Sequence, residues 1–187
     1  MPCLIQARTH RSSCIFSLRA VIRTTLASCP PSAASAFTFA ARKRLAQTIA
    51  KKPLLSPSDL FTTQHDESLP SEEFKAVLRR SRALYGAGMA LASLDVLTSV
   101  VRGTLGHRWK NDGKMVDTLA AVDADIAQAL QSAREEFGSR RVNEREMARA
   151  AVRALEETLS ASLNDTIGWK GEFPFERALA DVQCWKI

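Results

Sequence analysis

A regular apolar stripe that runs from Met115 to Phe137 constrains the fold of this chain more than any other feature. Its members follow one another at spacings of four, three, four, four, three and four residues, so they share one face of an α-helix and do not fit the two-residue period of a strand. The stripe consists of Met115, Leu119, Val122, Ile126, Leu130, Ala133 and Phe137. Gly138 follows it as a helix stop. We predict a helix that buries this face and leaves Asp117 and Gln131 outside it.

Two further segments predict helices before and after this one. Ser71 can cap a helix whose first turn holds Glu72 and Glu73, and apolar residues up to Val101 surround that helix on nearly all sides, so it should be buried. Asn143 can cap the other helix, with a capping box and a hydrophobic staple. The predicted apolar face of that helix consists of Met147, Ala151, Leu155, Leu159 and Leu163.

These patterns favour an all-α fold. Because the connections between the helices are short, neighbouring helices should run antiparallel. We expect a small antiparallel helical bundle with three main helices and a short C-terminal helix, which lies behind a disordered N-terminal leader. The predicted domain organisation is a basic leader at residues 1–52, a Pro- and Ser-rich linker at residues 53–70, and the bundle at residues 71–187.

The charges are divided unevenly along the chain. Residues 1–58 carry nine of the 26 Lys and Arg residues and none of the 20 Asp and Glu residues. From Asp59 onward, 17 bases stand against 20 acids, which is a formal charge of −3. An Arg- and Ser-rich, acid-free leader that can form a cationic helix is typical of mitochondrial transit peptides. We therefore expect the protein in mitochondria, in the matrix or associated with the inner membrane.

Two short basic clusters are compatible with a different subcellular location. Residues 42–44 read Arg-Lys-Arg and residues 51–52 read Lys-Lys, and such clusters also occur in nuclear localisation signals and nucleic-acid contacts. Nuclear localisation therefore stays an alternative. The net negative charge after Asp59 argues against nucleic-acid binding by the body of the protein.

The stretch from Ala83 to Val101 has a second interpretation as a membrane span. It is long enough to cross a bilayer, it contains Asp95 as its one charged residue, and arginines flank it on both sides. A carboxylate in the middle of a membrane costs roughly 2.5 to 3.5 kcal/mol on insertion scales, and the many Ala, Gly and Ser residues offset little of that. We favour a buried bundle helix and keep a single-span inner-membrane protein as the alternative.

Three groups of residues are candidates for interaction surfaces. An arginine row with a period of four could meet an anionic partner, either an acidic protein or lipid head groups, and it consists of Arg141, Arg145, Arg149 and Arg153. Small residues that would permit close helix contact are Gly86, Gly88, Ala90 and Ala92. Aromatic residues that would form a docking patch are Trp169, Phe173, Phe175 and Trp185. The competing interpretations are a solvated face neutralised by nearby acids for the arginines and a lid over the bundle for the aromatic residues.

Residues that carry catalysis or bind metals show no recognisable arrangement in the sequence. No pair of cysteines has CxxC spacing, and His107 is the one histidine near a predicted helix. Residues 85–89 read Tyr-Gly-Ala-Gly-Met, but no predicted strand precedes them as a dinucleotide-binding loop would require. We therefore expect no cofactor and no metal, and we favour a binding protein over an enzyme.

The leading hypothesis from the sequence is a non-enzymatic mitochondrial accessory, assembly or scaffold protein whose helices bind another protein. The first alternative is the single-span inner-membrane protein with a helix at 83–101. The second is a small enzyme whose site is assembled from residues far apart in the sequence. The oligomeric state is left open.

Overall fold

Helices dominate the part of the chain that the computed structural model describes, which is residues 21–22, 24–51, 59–64, 67–138 and 145–185. A single small sheet accompanies the helices in these ranges, so the predicted all-α class is confirmed. The chain divides into two compact units, residues 1–44 and residues 45–187. The predicted cap at Asn143 and the first member of the arginine row, Arg141, lie outside the described residues.

The described part of the N-terminal unit is helical, which corrects the predicted disordered leader. Residues 24–28 are helical, and the helix is interrupted at Cys29 and Pro30. Helix α1 then runs over Pro31–Lys51. Proline suits the first position of a helix because the N–H that it lacks would have no partner there. The carbonyl of Pro30 accepts the N–H groups of Ala33 and Ala34 at 3.0 and 3.1 Å. Helix α1 therefore begins at the second of the two prolines.

A β-hairpin occupies part of the segment that we predicted as a linker. Strand β1, Phe61–Gln64, pairs antiparallel with strand β2, Glu67–Pro70. Leu60 and Phe61 are buried, and the rings of Phe61 and Phe74 lie 5.3 Å apart. This part of the predicted linker is therefore a hairpin, and Leu60 and Phe61 belong to the hydrophobic core.

The helix that we predicted from Ser71 to Val101 is two helices. Helix α2, Glu72–Gly86, begins at the predicted cap, where the Ser71 hydroxyl accepts the N–H of Phe74 at 3.1 Å. Helix α3 covers Ala90–Gly103. Between them Gly88 has a φ of 70°, a left-handed conformation that glycine adopts without strain and that ends the helical path.

This break also bears on the predicted membrane span. The continuous helix expected over residues 83–101 does not form, because residues 87–89 separate α2 from α3. Among the helices that the structure describes, none combines the length and the apolar character needed to cross a membrane.

Four main helices therefore form the bundle, where three were predicted. Helix α4 runs over Lys114–Gly138, α5 over Arg145–Gly168 and the short α6 over Glu176–Gln183. Helix α3 packs against α2, α4 and α5, while α6 packs against α4 and α5. The large side chains that are completely buried include Phe74, Leu84, Leu94, Leu97, Met115, Leu119, Ile126, Leu130, Leu155, Leu159 and Phe175.

The stripe on α4 is buried as predicted, except that Phe137 at its end is half-buried. The buried face of α5 differs from the prediction. Leu155 and Leu159 are buried, but Met147 is 61% exposed and Ala148 is buried in its place. Residues with hydroxyl groups complete this buried face. Their hydroxyls can be buried because they donate hydrogen bonds to carbonyls one turn earlier, as Thr158 does to Ala154 at 2.7 Å. A pattern of apolar residues alone therefore predicts a face about one residue away from the one that is buried.

Candidate functional site

The four aromatic residues that we predicted as one docking patch differ in burial and in the rings that they contact. Phe175 is completely buried, and the ring of Phe173 packs edge-on to it with centroids 5.8 Å apart. Trp169 lies edge-on to Trp109 at 5.1 Å. Phe175 is therefore inaccessible to a partner, while Trp169 and Phe173 are partly buried against the core. Trp185 has a separate set of neighbours.

The four small residues do not share a helix face either. Gly86 ends α2, and a side chain there would meet no atom within 4 Å. Gly88 lies in the turn, Ala90 is the buried first residue of α3, and Ala92 is half-buried. The predicted close contact of small residues along one helix is therefore wrong. At Gly88 the physical reason for glycine is the turn conformation.

The described members of the arginine row lie where the sequence placed them. Arg145, Arg149 and Arg153 are exposed along α5. Residues four apart lie one above the other on a helix, so these guanidinium groups line one edge of α5.

This edge of α5 borders an open depression of about 230 Å³ beside the C-terminal end of α6. We call it the α5–α6 depression. The lining residues are Arg149, Val152, Arg153 and Glu156 from α5, together with Val182, Gln183 and Trp185. Val152 and Val182 are buried and give the depression an apolar part. The structure thus brings two members of the arginine row together with one member of the predicted aromatic patch.

A fourth arginine is held beside the depression by Trp185. The guanidinium carbon of Arg134, on α4, lies 5.0 Å from the centroid of the Trp185 indole, which is a cation–π arrangement. Its Nη2 donates to the carbonyl of Asp181 at 3.0 Å. The indole also meets the ring of Phe137 edge-on, with centroids 6.5 Å apart. Trp185 and Arg134 therefore have defined positions before any ligand arrives.

Charged side chains of both signs surround the α5–α6 depression. Arg149, Arg153 and Glu156 belong to the lining, Glu146 and Glu157 are exposed along the same edge of α5, and Arg134 lies at Trp185. We had predicted the arginines and Trp185 as parts of separate surfaces. Arg134 was missed, because nothing in the spacing of the sequence indicates its contact with a tryptophan 51 positions later.

Helix α6 is held in place by Asp123 of α4. The carboxylate of Asp123 accepts the N–H of Ala178 at 2.8 Å, at the positive end of α6. Burial raises the pKa of Asp123, and the hydrogen bond from Ala178 acts in the opposite direction. Ala178 and Val182 then bury the inner face of α6. This cap helps to position the residues that line one side of the depression.

Asp125, two positions later, holds α4 to α2. It is buried, and its carboxylate accepts bonds from Arg82 Nε at 3.0 and 2.9 Å and from the Tyr85 hydroxyl at 3.0 Å. The hydrogen bond to Asp125 raises the pKa of Arg82, and burial, followed by the charge of Asp125, raises the pKa of Tyr85. One interpretation of the arginine row has nearby acids neutralise it. The partner of Asp125 is Arg82 instead.

A second depression, of about 260 Å³, lies near the end of α5, and its lining includes Arg108, Asp165 and Trp169. Asp165 of this lining accepts the N–H of Gly106 at 3.0 Å. Pockets that enclose small molecules typically have volumes of about 300 to 1,000 Å³. Both depressions are smaller than that and open, so they suit a side chain of a partner better than an enclosed substrate.

His107 makes a structural contact. Its Nδ1 lies 2.8 Å from the hydroxyl of Ser68, and its ring lies 5.3 Å from that of Phe61, so it ties the loop after α3 to the hairpin. Within the described ranges, no group of three or more His, Cys, Asp or Glu residues is arranged to hold a metal ion. Comparisons of the chain with family models, with curated proteins and with solved structures found no match.

Proposed function

We propose that this chain is a non-enzymatic mitochondrial accessory, assembly or scaffold protein that binds another protein through the outer side of α5 and α6. The observation that carries the proposal is the α5–α6 depression. It combines exposed guanidinium groups with a tryptophan and two valines, on helices whose inward faces are already packed. Arginine and tryptophan are the residue types that contribute most to protein–protein binding energy.

The roles of the interior polar groups support a binding protein over an enzyme. Asp125 is bonded to Arg82 and Tyr85, and Asp123 caps α6. A general acid or base must be able to reach the proton of a substrate, whereas these carboxylates are committed to holding helices together.

The mitochondrial part of the proposal rests on the distribution of charge. All Asp and Glu residues lie after Ser58, while nine bases lie before Asp59. Mitochondrial transit peptides are typically amphipathic, rich in Arg and Ser and poor in acids, and this leader shares that composition.

Import into isolated mitochondria tests the location. The double variant Arg19→Glu/Arg23→Glu reverses two charges of the leader, and we expect it to lose protease-protected import. The matched variant Arg19→Lys/Arg23→Lys keeps the charges and should be imported like the wild type. Equal import of the Glu and wild-type chains would contradict the proposed leader.

Native electrophoresis of mitochondrial extracts tests the binding role. The full chain has a mass of 20.5 kDa, so an accessory protein bound to its partner should migrate in a clearly larger complex. The purified recombinant chain provides the reference for the unbound form. Migration of the mitochondrial protein at the position of the purified chain would contradict the proposal.

A further inference from the structure

We propose that two copies of this chain form a symmetric dimer through the second depression, near the end of α5. We call it the Arg108–Asp165 depression, and its lining consists of Gly106, Arg108, Asn164, Asp165, Gly168 and Trp169. None of these residues lines the α5–α6 depression, so the inference goes beyond the proposed function and is tested separately from it.

Exposed apolar side chains adjoin this depression. In the described part of the C-terminal unit, the large apolar side chains that are exposed are those of Leu105, Met147 and Ile167. Leu105 precedes Gly106 of the lining, and Ile167, which is 62% exposed, precedes Gly168. Two of these three exposed side chains therefore lie next to one depression, which also contains Trp169. Apolar side chains that are concentrated in this way on a surface indicate a contact with another protein.

Two glycines leave the depression open. A Cβ atom at Gly106 or at Gly168 would meet no other atom within 4 Å. Side chains of a second molecule can therefore enter where this chain places none. The volume of about 260 Å³ suits such side chains, since it lies below the usual size of a small-molecule site.

The charged residues of the lining make this surface complementary to itself. Arg108 and Asp165 are the one base and the one acid of the lining, and within the ranges that the structure describes neither forms an ion pair. Asp165 Oδ2 accepts the N–H of Gly106, which orients the carboxylate and leaves Oδ1 to accept from a partner. In a dimer with two-fold symmetry every contact occurs twice in reciprocal form. Arg108 of each copy can therefore pair with Asp165 of the other.

This reciprocal pairing favours a second copy over an unrelated charged partner. A strongly acidic or strongly basic partner would meet one like charge in the lining for each opposite charge. The exposed residues Lys170 and Glu172, which follow Trp169, also carry one charge of each sign. The same surface turned by a two-fold rotation satisfies both charges of the lining and covers the exposed apolar side chains of both copies.

Sedimentation velocity of the purified full chain tests the inference. The wild type should shift from the monomer mass of 20.5 kDa toward twice that mass as the protein concentration rises. Arg108→Asp and Asp165→Arg should each weaken the dimer by more than about tenfold, because like charges then face each other. An equimolar mixture of the two variants should dimerise again, since each introduced charge meets an opposite charge in the other chain.

A substitution at Gly168 tests the same surface without changing its charge. Gly168→Gln places a side chain in the open depression, so this variant should fold and remain monomeric. Gly86→Gln is the matched control, because Gly86 also ends a helix, has the same open surroundings and does not line the depression. It should dimerise like the wild type, and thermal melts should show that each variant is folded.

A folded wild type that keeps the monomer mass at every concentration would overturn the inference. So would a dimer that Arg108→Asp and Gly168→Gln leave unchanged, or a mixture of folded Arg108→Asp and Asp165→Arg chains that stays monomeric. A monomeric purified chain that still enters a larger complex in mitochondria would reject the dimer and leave the proposed function in place.

Discussion

Asp123 and Asp125 stand two positions apart on α4 and stabilise the bundle in different ways. Asp125 forms an ion pair with Arg82, whereas Asp123 accepts a backbone N–H at the start of α6. The first contact needs a charge, because its main partner is a guanidinium. The second needs an acceptor at a helix start, and a neutral side chain with an oxygen can provide that.

This difference predicts the behaviour of two substitutions at Asp123. Asp123→Asn keeps an acceptor for Ala178 and removes a partly buried charge, so at neutral pH it should be as stable as the wild type or more stable. Asp123→Ala removes the acceptor and should cost about 0.5 to 2 kcal/mol. Urea denaturation of the purified chain measures both effects.

The pH dependence follows from the raised pKa of Asp123. The folded protein holds this proton more tightly than the unfolded chain, whose ordinary value is 3.8. The contribution of Asp123 to stability is therefore greatest at low pH and declines as the pH rises from that ordinary value through the raised folded value. Wild type should gain stability relative to Asp123→Asn as the pH is lowered through this interval. A difference between the two proteins that does not change with pH would contradict this prediction.

The pairing of Arg82 with Asp125 could not be predicted from the sequence. They are 43 residues apart, and several other arginines were equally available to Asp125 in the sequence. Only the packing of α2 on α4 selects one of them. The Ser71 cap was predictable because its hydroxyl and the Phe74 N–H are three residues apart.

At the level of the elements, two glycines near the end of α2 should respond in opposite ways to alanine. Gly86→Ala places a methyl group in open space and should stabilise the protein by about 0.5 to 1 kcal/mol, because alanine favours the helix. Gly88→Ala forces a side chain into a left-handed conformation and should cost about 1 to 2 kcal/mol. Thermal melts decide between this and the predicted close helix contact, which would make Gly86→Ala clearly destabilising.

The α4 stripe predicts a second contrast between substitutions. Leu119 and Leu130 are completely buried, so replacement of either by Ala should cost about 2 to 5 kcal/mol through lost contacts and a cavity. Asp117 is exposed, and Asp117→Ala should change the free energy of unfolding by no more than about 0.5 kcal/mol. Equal melting temperatures for the three variants would show that the stripe is not part of the core.

The elements differ in how far the sequence determines them. The stripe on α4 has a regular period and nearly all of it is buried. The break between α2 and α3 was missed, because apolar residues continue on both sides of Gly88 and hide it. The buried face of α5 was misplaced, because Thr158, Ser162 and Thr166 contribute to it and a hydropathy pattern does not count them.

For the whole molecule, the candidate site combines one predictable part with one that depends on the fold. A row of arginines with a period of four follows directly from the sequence of α5. Its neighbours in the depression come from residues 182–185, and Arg134 comes from α4. These segments meet because α6 packs against both α4 and α5, which no local pattern indicates.

Site-specific photocrosslinking in mitochondria tests the binding role of this surface most directly. Gln183 is exposed and lines the α5–α6 depression, so benzoylphenylalanine at this position should form a crosslinked adduct with the partner. The yield of that adduct should fall sharply in the Arg149→Glu/Arg153→Glu background. The same photocrosslinker at Gln128, which is exposed on α4 and does not line the depression, should not form it. An adduct that forms equally from both positions, or that is unaffected by the reversed charges, would contradict a partner bound at the α5–α6 depression.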